Sequence, residues 1–144
     1  MAVCTFFGHS DCCELKSAVL RQAIEELIDS GVDTFYVGHQ GRFDAMVLSC
    51  LKELQKTHPR LRFWVVLATL PKTAYDTYEG RTLYPEGLEI GPPRFAIDRR
   101  NRWMLAQADY CLCYVNRSWG GACKFAREGK RRSLTVINLG TLKL

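Results

Sequence analysis

Glycine-containing turns follow three of the β-rich runs in this sequence, and polar side chains stand next to them. Gly8 follows the first run, Gly38 and Gly41 follow the second, and Gly120 and Gly121 follow the fourth. Glycine lets a backbone approach a ligand closely, and the N–H groups at the amino end of a following helix bind anions. One such turn needs glycine for structural reasons alone, but three turns on one edge of a sheet favour a phosphate-bearing ligand.

Two histidines and one aspartate in these turns are candidates for chemistry with such a ligand. His9 and His39 each follow a strand and a glycine, where an imidazole could bond a phosphate, transfer a proton or bond the local backbone. Asp44 ends the segment GHQGRFD and could hold a ribose hydroxyl or act as a catalytic carboxylate. An aspartate there could equally be the N-cap of the following helix, and the two roles are compatible.

A second polar cluster lies further along the chain, at Arg99, Arg100 and Asn101. Guanidinium groups suit bidentate recognition of phosphate, whereas a solvated basic face explains part of such a cluster. In the later turn NRSWGG, Ser118 could donate to a phosphate, and Trp119 could stack on a base or anchor the loop. The predicted ligand-binding residues are Gly8, His9, Ser10, Gly38, Gly41, Asp44, Arg99, Arg100, Asn101, Ser118, Trp119, Gly120 and Gly121.

Motifs of several common cofactor and metal sites are missing from the sequence. There is no G-x-G-x-x-G and no Walker lysine motif, which excludes an ordinary dinucleotide redox site and a P-loop NTPase. The seven cysteines include no C-x-x-C pair, and Cys111 and Cys113 alternate within an apolar run, as buried small residues do. The spacing of His9 and the nearby cysteines does not fit zinc, so we expect no metal and no required cofactor.

The elements that must position these residues alternate between β-rich runs and amphipathic helical patterns. A capping box at Asp11 and Glu14 predicts the start of the first helix, and Gly31 is a natural C-cap after it. The later helices are predicted at about residues 45–57, 99–107 and 122–128. The predicted strands are residues 3–7, 34–37, 62–67, 110–115 and 134–139.

This alternation predicts one α/β domain that covers residues 1–144. We expect a doubly wound, mainly parallel, five-stranded Rossmann-like sheet with helices on both faces. Ligands of such sheets bind outside the carboxyl ends of the strands, where the strand order reverses. The long stretch at residues 71–97 is too long for a plain connection. Its residues Tyr75, Tyr78, Glu79, Tyr84 and Glu86 could form a lid, although packing of the aromatic rings onto the sheet is favoured.

Composition excludes several classes of protein. With 144 residues, 47% hydrophobic and 24% charged, the chain has the values of an ordinary globular domain and not of a disordered or fibrous chain. The longest apolar run, residues 63–68, is far shorter than the roughly 20 residues that span a bilayer, and no signal peptide is visible. We therefore expect a cytoplasmic protein without a membrane partner. The net charge of +5 suits a small phosphorylated ligand better than nucleic acid.

The ordered combination of TFFGH, GRFD, RNRWM and SWGGA runs over nearly the whole chain and resembles the SLOG superfamily. This is the Rossmann-like group that includes the LOG (lysine-decarboxylase-like) and DprA proteins, and the nearest part is a small branch of standalone bacterial proteins, most of them uncharacterised. The resemblance implies a pocket for a nucleotide or nucleotide derivative at the strand carboxyl ends. It also places the Arg-Asn pair of RNRWM near that pocket and makes a homo-oligomer plausible.

The sequence departs from the PGGxGTxxE signature of LOG phosphoribohydrolases. Gly120 and Gly121 match its first two glycines, but Trp119 stands at its proline and Arg127 at its catalytic glutamate. Glu128 comes one residue later, about 100° around a helix. The departure favours a sensor or sequestering module over an enzyme. The alternative is an N-glycosidic hydrolase of nucleoside 5′-monophosphates that uses another carboxylate, such as Asp44, and single-stranded nucleic-acid binding ranks third.

Overall fold

A computed structural model describes residues 1–12, 14–70 and 81–144, and it shows an α/β fold built on a single parallel sheet. The strands are β1 Ala2–Gly8, β2 Val32–Val37, β3 Arg62–Val66, β4 Thr82–Leu83, β5 Tyr110–Tyr114 and β6 Thr135–Asn138. The helices are α1 Ser17–Asp29, α2 Gly41–Gln55, α3 Ala96–Gln107 and α4 Gly121–Arg131, and a 3₁₀ turn at Pro93–Phe95 leads into α3. The expected alternation of strands and helices is confirmed.

The six strands lie in the order β4-β3-β2-β1-β5-β6, and every neighbouring pair is parallel. The predicted number of five strands is wrong, because β4 forms within the stretch that was expected to be irregular. Two ladder bonds attach this short strand, from Val65 N to Arg81 O (2.7 Å) and from Leu67 N to Leu83 O (2.9 Å). The strand order reverses between β1 and β5, so the crevice for a ligand is expected there.

Alternate residues of the central strands face two separate apolar clusters, one on each face of the sheet. Phe6 of β1 stacks on Phe35 at 5.9 Å in the cluster that includes the apolar faces of α1 and α2. The next residue, Phe7, stacks on Phe125 at 5.6 Å in the cluster that includes residues of α3 and α4. Cys111 and Cys113 are fully buried in this second cluster, which confirms their prediction as small core residues.

The first helix begins later than its predicted capping box. Lys16 is the N-cap and makes no side-chain capping bond, so the prediction for Asp11 and Glu14 is wrong. Asp11 instead forms an ion pair with Arg117 at 3.2 Å, across the end of the sheet. The apolar face of α1 and the turn that ends the helix are confirmed. Gly31 has a φ of +104° just after the C-cap, and the buried residues of the helix are Leu20, Ile24 and Leu27.

The second helix begins at Gly41, several residues before the predicted start. Its N-cap is Gln40, so the prediction of Asp44 as an N-cap is wrong, and Asp44 lies inside the first turn. The early start is stabilised by a bond from Arg42 N to Ser10 O (3.1 Å), a contact between two turns that periodicity cannot reveal. Phe43 in the same turn is completely buried.

The third strand is buried less evenly than its apolar sequence predicts. Phe63, Val65 and Val66 are buried, but Trp64 keeps 36% of its surface exposed. The neighbouring strand β4 has two residues, so it covers little of this end of the sheet. Tyr84, just after β4, packs against the core as favoured, whereas the lid candidates Tyr75, Tyr78 and Glu79 lie outside the described residues. In the part of the chain that is described, no helix has the length and apolar character needed to cross a membrane.

Candidate functional site

A cavity of about 230 Å³ opens at the carboxyl ends of β1 and β5, where the strand order reverses. It receives residues from four parts of the chain that are distant in sequence: the turn after β1, the start of α2, the middle of α3, and the turn that leads into α4. The predicted site residues that line it are Gly8, His9, Ser10, Asp44, Arg100, Asn101, Gly120 and Gly121. Eight predicted residues therefore line one cleft, whereas Gly38, Gly41, Arg99, Ser118 and Trp119 do not.

One side of the cavity, which we call the buried wall, consists of Gln40, Asp44, Arg100 and Asn101. Arg100 is only 3% exposed, and its guanidinium makes three hydrogen bonds. Nε donates to Asn101 Oδ1 (2.8 Å), Nη1 donates to Val66 O (3.2 Å), and Nη2 donates to Gln40 Oε1 (2.7 Å). A buried cation is tolerated when its donors are satisfied in this way. These bonds hold the charge of Arg100 in a fixed position beside the cavity.

Asp44 and Arg100 lie together over Gly38. A Cβ atom at Gly38 would stand 2.8 Å from both Arg100 Nη1 and Asp44 Oδ2, so only glycine leaves room for the two side chains. Asp44 Oδ2 accepts a hydrogen bond from Gln40 N (3.0 Å). Burial of the carboxylate raises the pKa of Asp44 to about 6, against the opposing effects of Arg100 and the Gln40 bond. The buried wall thus combines a permanent cation with an acid that titrates near neutral pH.

His9 stands between the turn after β1 and the turn after β5. Its side chain is buried, and its Nε2 accepts a hydrogen bond from Asn116 N (3.0 Å). Burial, and secondly the charge of Arg117, lower the pKa of His9, while Asp11 acts in the opposite direction. The imidazole is therefore neutral at pH 7. The other predicted histidine, His39, lies outside the cavity lining, and its Nε2 accepts a long bond from the backbone N–H of residue 68 (3.4 Å).

The opposite side, which we call the open wall, consists of Arg117, Gly120, Gly121 and Ala122. Arg117 Nη1 pairs with Asp11 at 3.2 Å, but among the described residues Arg117 Nε is the buried side-chain polar atom without a hydrogen-bond partner. Gly120 is the N-cap of α4 and has a φ of +94°, which a residue with a Cβ rarely adopts. The first N–H groups of α4 have no partner within the helix. This wall therefore presents the Arg117 guanidinium and the first N–H groups of α4 as hydrogen-bond donors.

Glycine occurs in the three turns for different structural reasons. A Cβ at Gly8 would lie 2.1 Å from the ring of Phe43, and one at Gly41 would lie 2.6 Å from Ser10 Cβ. Glycine at these two positions therefore permits close packing of the protein on itself. A Cβ at Gly120 or Gly121 would meet nothing within 4 Å. Only the last turn has the open space that the ligand hypothesis expects of all three.

Three other predicted residues lie outside the cavity lining. Arg99 donates from Nε to Leu88 O (2.8 Å) and from Nη1 to Pro92 O (2.8 Å), so it fastens the segment before α3. Ser118 is exposed, and Trp119 is 67% exposed next to Gly120. The Arg117 guanidinium lies 5.2 Å from the centre of the indole ring. Trp119 is thus available to a ligand that extends beyond the cavity.

Two lining residues with polar side chains, Gln40 and Arg117, are missing from the prediction. Arg117 could have been found, because it is the basic residue in the turn that precedes the open glycines. Gln40 gave no signal, since its role depends on Arg100, 60 positions away in the sequence. Glu128, the acid nearest to the missing glutamate of the signature, bonds Arg131 and Arg132 at the surface and does not line the cavity.

Within the described ranges, no group of three histidine, cysteine, aspartate or glutamate side chains is placed to hold a metal ion. A salt bridge of 3.0 Å between Asp98 and Lys124 joins the first turns of α3 and α4 beside the cavity.

Neither a scan against protein-family models nor a search of curated proteins returns a match to this chain. The functional argument therefore depends on the geometry and charge of the cavity.

Proposed function

We propose that this protein binds a nucleotide or a nucleotide-derived ligand, such as a nucleoside phosphate or an ADP-ribose relative, and acts as a sensor or a sequestering module. The observation that carries the proposal is the buried, unpartnered Nε of Arg117 beside the open amino end of α4. A buried donor without a partner costs about 1–3 kcal/mol. An anionic ligand at this wall would supply the missing acceptor when the partly exposed Arg117 side chain turns toward it, and would recover that free energy.

The charges around the cavity support an anion rather than a cation. Arg100 and Arg117 both line it, and the single carboxylate on the buried wall, Asp44, lies next to Arg100, which offsets its charge. Helix α4 adds the partial positive charge of its amino end. Hydrogen bonds between guanidinium and phosphate are charge-assisted and roughly twice as strong as neutral ones. A phosphate oxygen that reaches the exposed part of the Arg117 guanidinium and the first amides of α4 would satisfy donors at this wall.

The size of the cavity fits part of a nucleotide. Its 230 Å³ is below the range of about 300–1,000 Å³ that is usual for ligand pockets. In the proposed arrangement the phosphate lies at the open wall, a ribose hydroxyl faces Asp44, and the base lies outside the cavity against Trp119. An exposed indole ring next to an anion site is suited to stacking on a base.

Isothermal calorimetry with AMP, ADP, ADP-ribose and NAD tests the proposal. We expect binding of at least one of them, and a loss of roughly tenfold or more in affinity for Arg117→Gln, because one charge-assisted bond contributes about 1.5–3 kcal/mol. The matched control is Arg127→Gln, which removes an exposed arginine of α4 outside the cavity and should leave the affinity unchanged. Absence of binding across the panel would contradict the proposed function.

The position and pKa of Asp44 favour one second candidate, hydrolysis of the N-glycosidic bond of a nucleoside 5′-monophosphate. A carboxyl with a pKa of about 6 that lines the cavity can give or take a proton at neutral pH. Of the other acids considered for this role, Glu86 is exposed outside the cavity lining, and Glu79 lies outside the described residues. Chromatography of free base released from AMP separates the candidates. An enzyme requires turnover that Asp44→Asn abolishes while binding persists.

Two further expectations remain predictions. We expect no required cofactor, so that binding in calorimetry should not depend on an added metal or coenzyme. Homo-oligomerisation also stays a prediction, and light scattering at several protein concentrations measures it directly. Single-stranded nucleic acid remains the lowest-ranked ligand, and a gel shift at moderate salt tests it.

A further inference from the structure

The imidazole of His9 uses one of its two nitrogen atoms in a hydrogen bond to the protein. Its Nε2 accepts the backbone N–H of Asn116 at 3.0 Å, so Nε2 carries a lone pair and not a proton. In a neutral imidazole the single proton must then reside on Nδ1. The backbone around His9 is fixed as well, because His9 N donates to Tyr114 O (3.3 Å). The ring is therefore held in one tautomer by the turn after β5.

The proton on Nδ1 has no acceptor among the residues that the structure describes. Among the described residues, no oxygen or nitrogen lies in hydrogen-bond geometry with His9 Nδ1. Nδ1 is also not among the fully buried polar atoms that lack a partner, so it is accessible. His9 is 5% exposed and lines the cavity, so the accessible part of this buried ring includes Nδ1. The structure thus holds a buried ring whose one free polar atom is a donor that a ligand in the cavity can reach.

The charged neighbours of His9 act against its protonation. Arg117 on the open wall disfavours a second positive charge, and Asp11, whose carboxylate pairs with Arg117, opposes this effect only in part. The remaining close neighbour is the uncharged ring of Tyr114, at 6.5 Å between ring centres. An imidazolium would also direct a second N–H at Asn116 N, where two donors would face each other. Proton transfer by His9 would therefore break the bond that orders the turn.

We infer that His9 is a specificity-determining residue: its Nδ1–H donates to an acceptor oxygen of the bound ligand, and it does so as a fixed neutral donor rather than as an acid or base. The inference rests on the proposed function and restricts which ligand groups can bind next to His9. Together with Arg117 and the first amides of α4, His9 completes a surface of donors. A ligand group that carries its own hydrogen atoms, such as an amide or ammonium group, would be rejected there.

Two substitutions separate the two nitrogen atoms of the ring. In His9→Gln the side-chain oxygen can take the place of Nε2 and accept from Asn116 N, but the donor at Nδ1 is lost. In His9→Asn the amide NH₂ can take the place of Nδ1, but the bond to Asn116 is lost. If His9 only supports the fold, His9→Asn is the more harmful change in every measurement. If His9 donates to the ligand, His9→Asn is the less stable variant, whereas His9→Gln is the variant with the lower affinity.

The experiment combines nitrogen-15 NMR of the ligand-free protein with calorimetry against AMP. We expect the His9 ring to carry its proton on Nδ1 at pH 7, a loss of roughly tenfold in AMP affinity for His9→Gln, and a loss within about threefold for His9→Asn. His9→Asn should show the larger drop in denaturation midpoint. A proton on Nε2, or equal affinity of wild type and His9→Gln, overturns the inference while the proposed function stands. If the wild type binds no member of the nucleotide panel, the proposed function fails first.

Discussion

The two walls of the cavity differ in whether their polar groups are satisfied by the protein. On the buried wall, Arg100 makes three hydrogen bonds and Asp44 accepts one from Gln40. On the open wall, Arg117 keeps a buried Nε without a partner, and the space around Gly120 is free. A wall that satisfies itself adds stability and a fixed field, whereas a wall with open donors loses stability until an acceptor arrives. Under the proposed function, the buried wall supports the structure and the open wall recognises the ligand.

The glycines show the same difference. Gly38 makes room for Arg100 and Asp44, so glycine there serves the internal bonds of the buried wall. At Gly120 and Gly121 no protein atom occupies the space that a side chain would fill. Strict glycine at a strand-to-helix turn is therefore not evidence for a ligand by itself. The informative feature is open space at the glycine together with an unsatisfied donor.

The largest expected effect is on the buried wall, from Arg100→Met. The substitution leaves Asn101 Oδ1, Val66 O and Gln40 Oε1 without a donor and removes the cation next to Asp44. We expect the free energy of unfolding to fall by about 3 kcal/mol. Urea denaturation measures it, with Arg102→Met on the exposed side of the same helix as control. A fall below about 1 kcal/mol, less than one buried polar group costs, would show that the two walls do not differ in stability.

The second effect compares a glycine packed against a side chain, Gly8, with a glycine in open space, Gly121. Gly8→Ala forces a methyl group into the ring of Phe43, and we expect a loss of about 1–3 kcal/mol in the free energy of unfolding. Gly121→Ala places its methyl group in open space at the start of α4, so stability should be kept. Thermal denaturation of both variants is the measurement. Equal losses would mean that open space at Gly121 does not distinguish this turn.

The third effect is a pH dependence that belongs to the buried wall. The pKa of Asp44 is raised to about 6 in the folded protein, above the value of about 3.9 expected in the unfolded chain. Folding then takes up a proton between these values, so the contribution of Asp44 to stability is full below pH 4 and is lost as the pH rises through 6. We expect Asp44→Asn to be more favourable relative to wild type at pH 7.5 than at pH 4.5.

Urea denaturation of both proteins at these two pH values measures the difference. Other titrating groups, such as Asp11, whose pKa is lowered by its bond to Arg117, are common to both proteins and cancel. A stability difference between wild type and Asp44→Asn that is the same at both pH values would contradict the raised pKa.

The smallest expected effect on stability is on the open wall, from Arg117→Gln. Arg117 makes one partly exposed ion pair with Asp11, and such pairs contribute little to folding. Because the substitution also removes the unpartnered Nε, we expect the denaturation midpoint to stay unchanged or to rise, although the same substitution should weaken nucleotide binding. If Arg117→Gln does not fold, Arg117 supports the structure as Arg100 does, and the two walls do not differ in their contribution to stability.

Most of the fold could be predicted from the sequence, because strand and helix periodicity is a local property. The faces of α1 and the burial of Cys111 and Cys113 follow from patterns within a few residues. The start of α2 could not be predicted, since it depends on Ser10 O, which accepts from Arg42 N. Strand β4 was missed for a similar reason: a two-residue strand has no period and exists through its bonds to β3.

The candidate site could be predicted in part. Glycines after strands locate the carboxyl edge of the sheet, and eight predicted residues line one cavity there. Arg99 and Arg100 are adjacent arginines in the sequence, but a helix directs them differently, so that one fastens a loop and the other lines the cavity. Which of two neighbouring arginines faces a site depends on the packing of the whole helix. That information is not present in a cluster of like charges.

The most direct test of the central claim is the amide NMR spectrum of the protein during a titration with AMP. We expect the largest chemical-shift changes at the amides of Gly120, Gly121 and Ala122 and at the side-chain Nε–H signal of Arg117. The amides of Ser49 and Cys50, in the groove between α1 and α2, serve as the internal reference and should not move. Changes centred on that groove, or a spectrum that AMP leaves unchanged, would contradict the claim that the open wall receives the ligand.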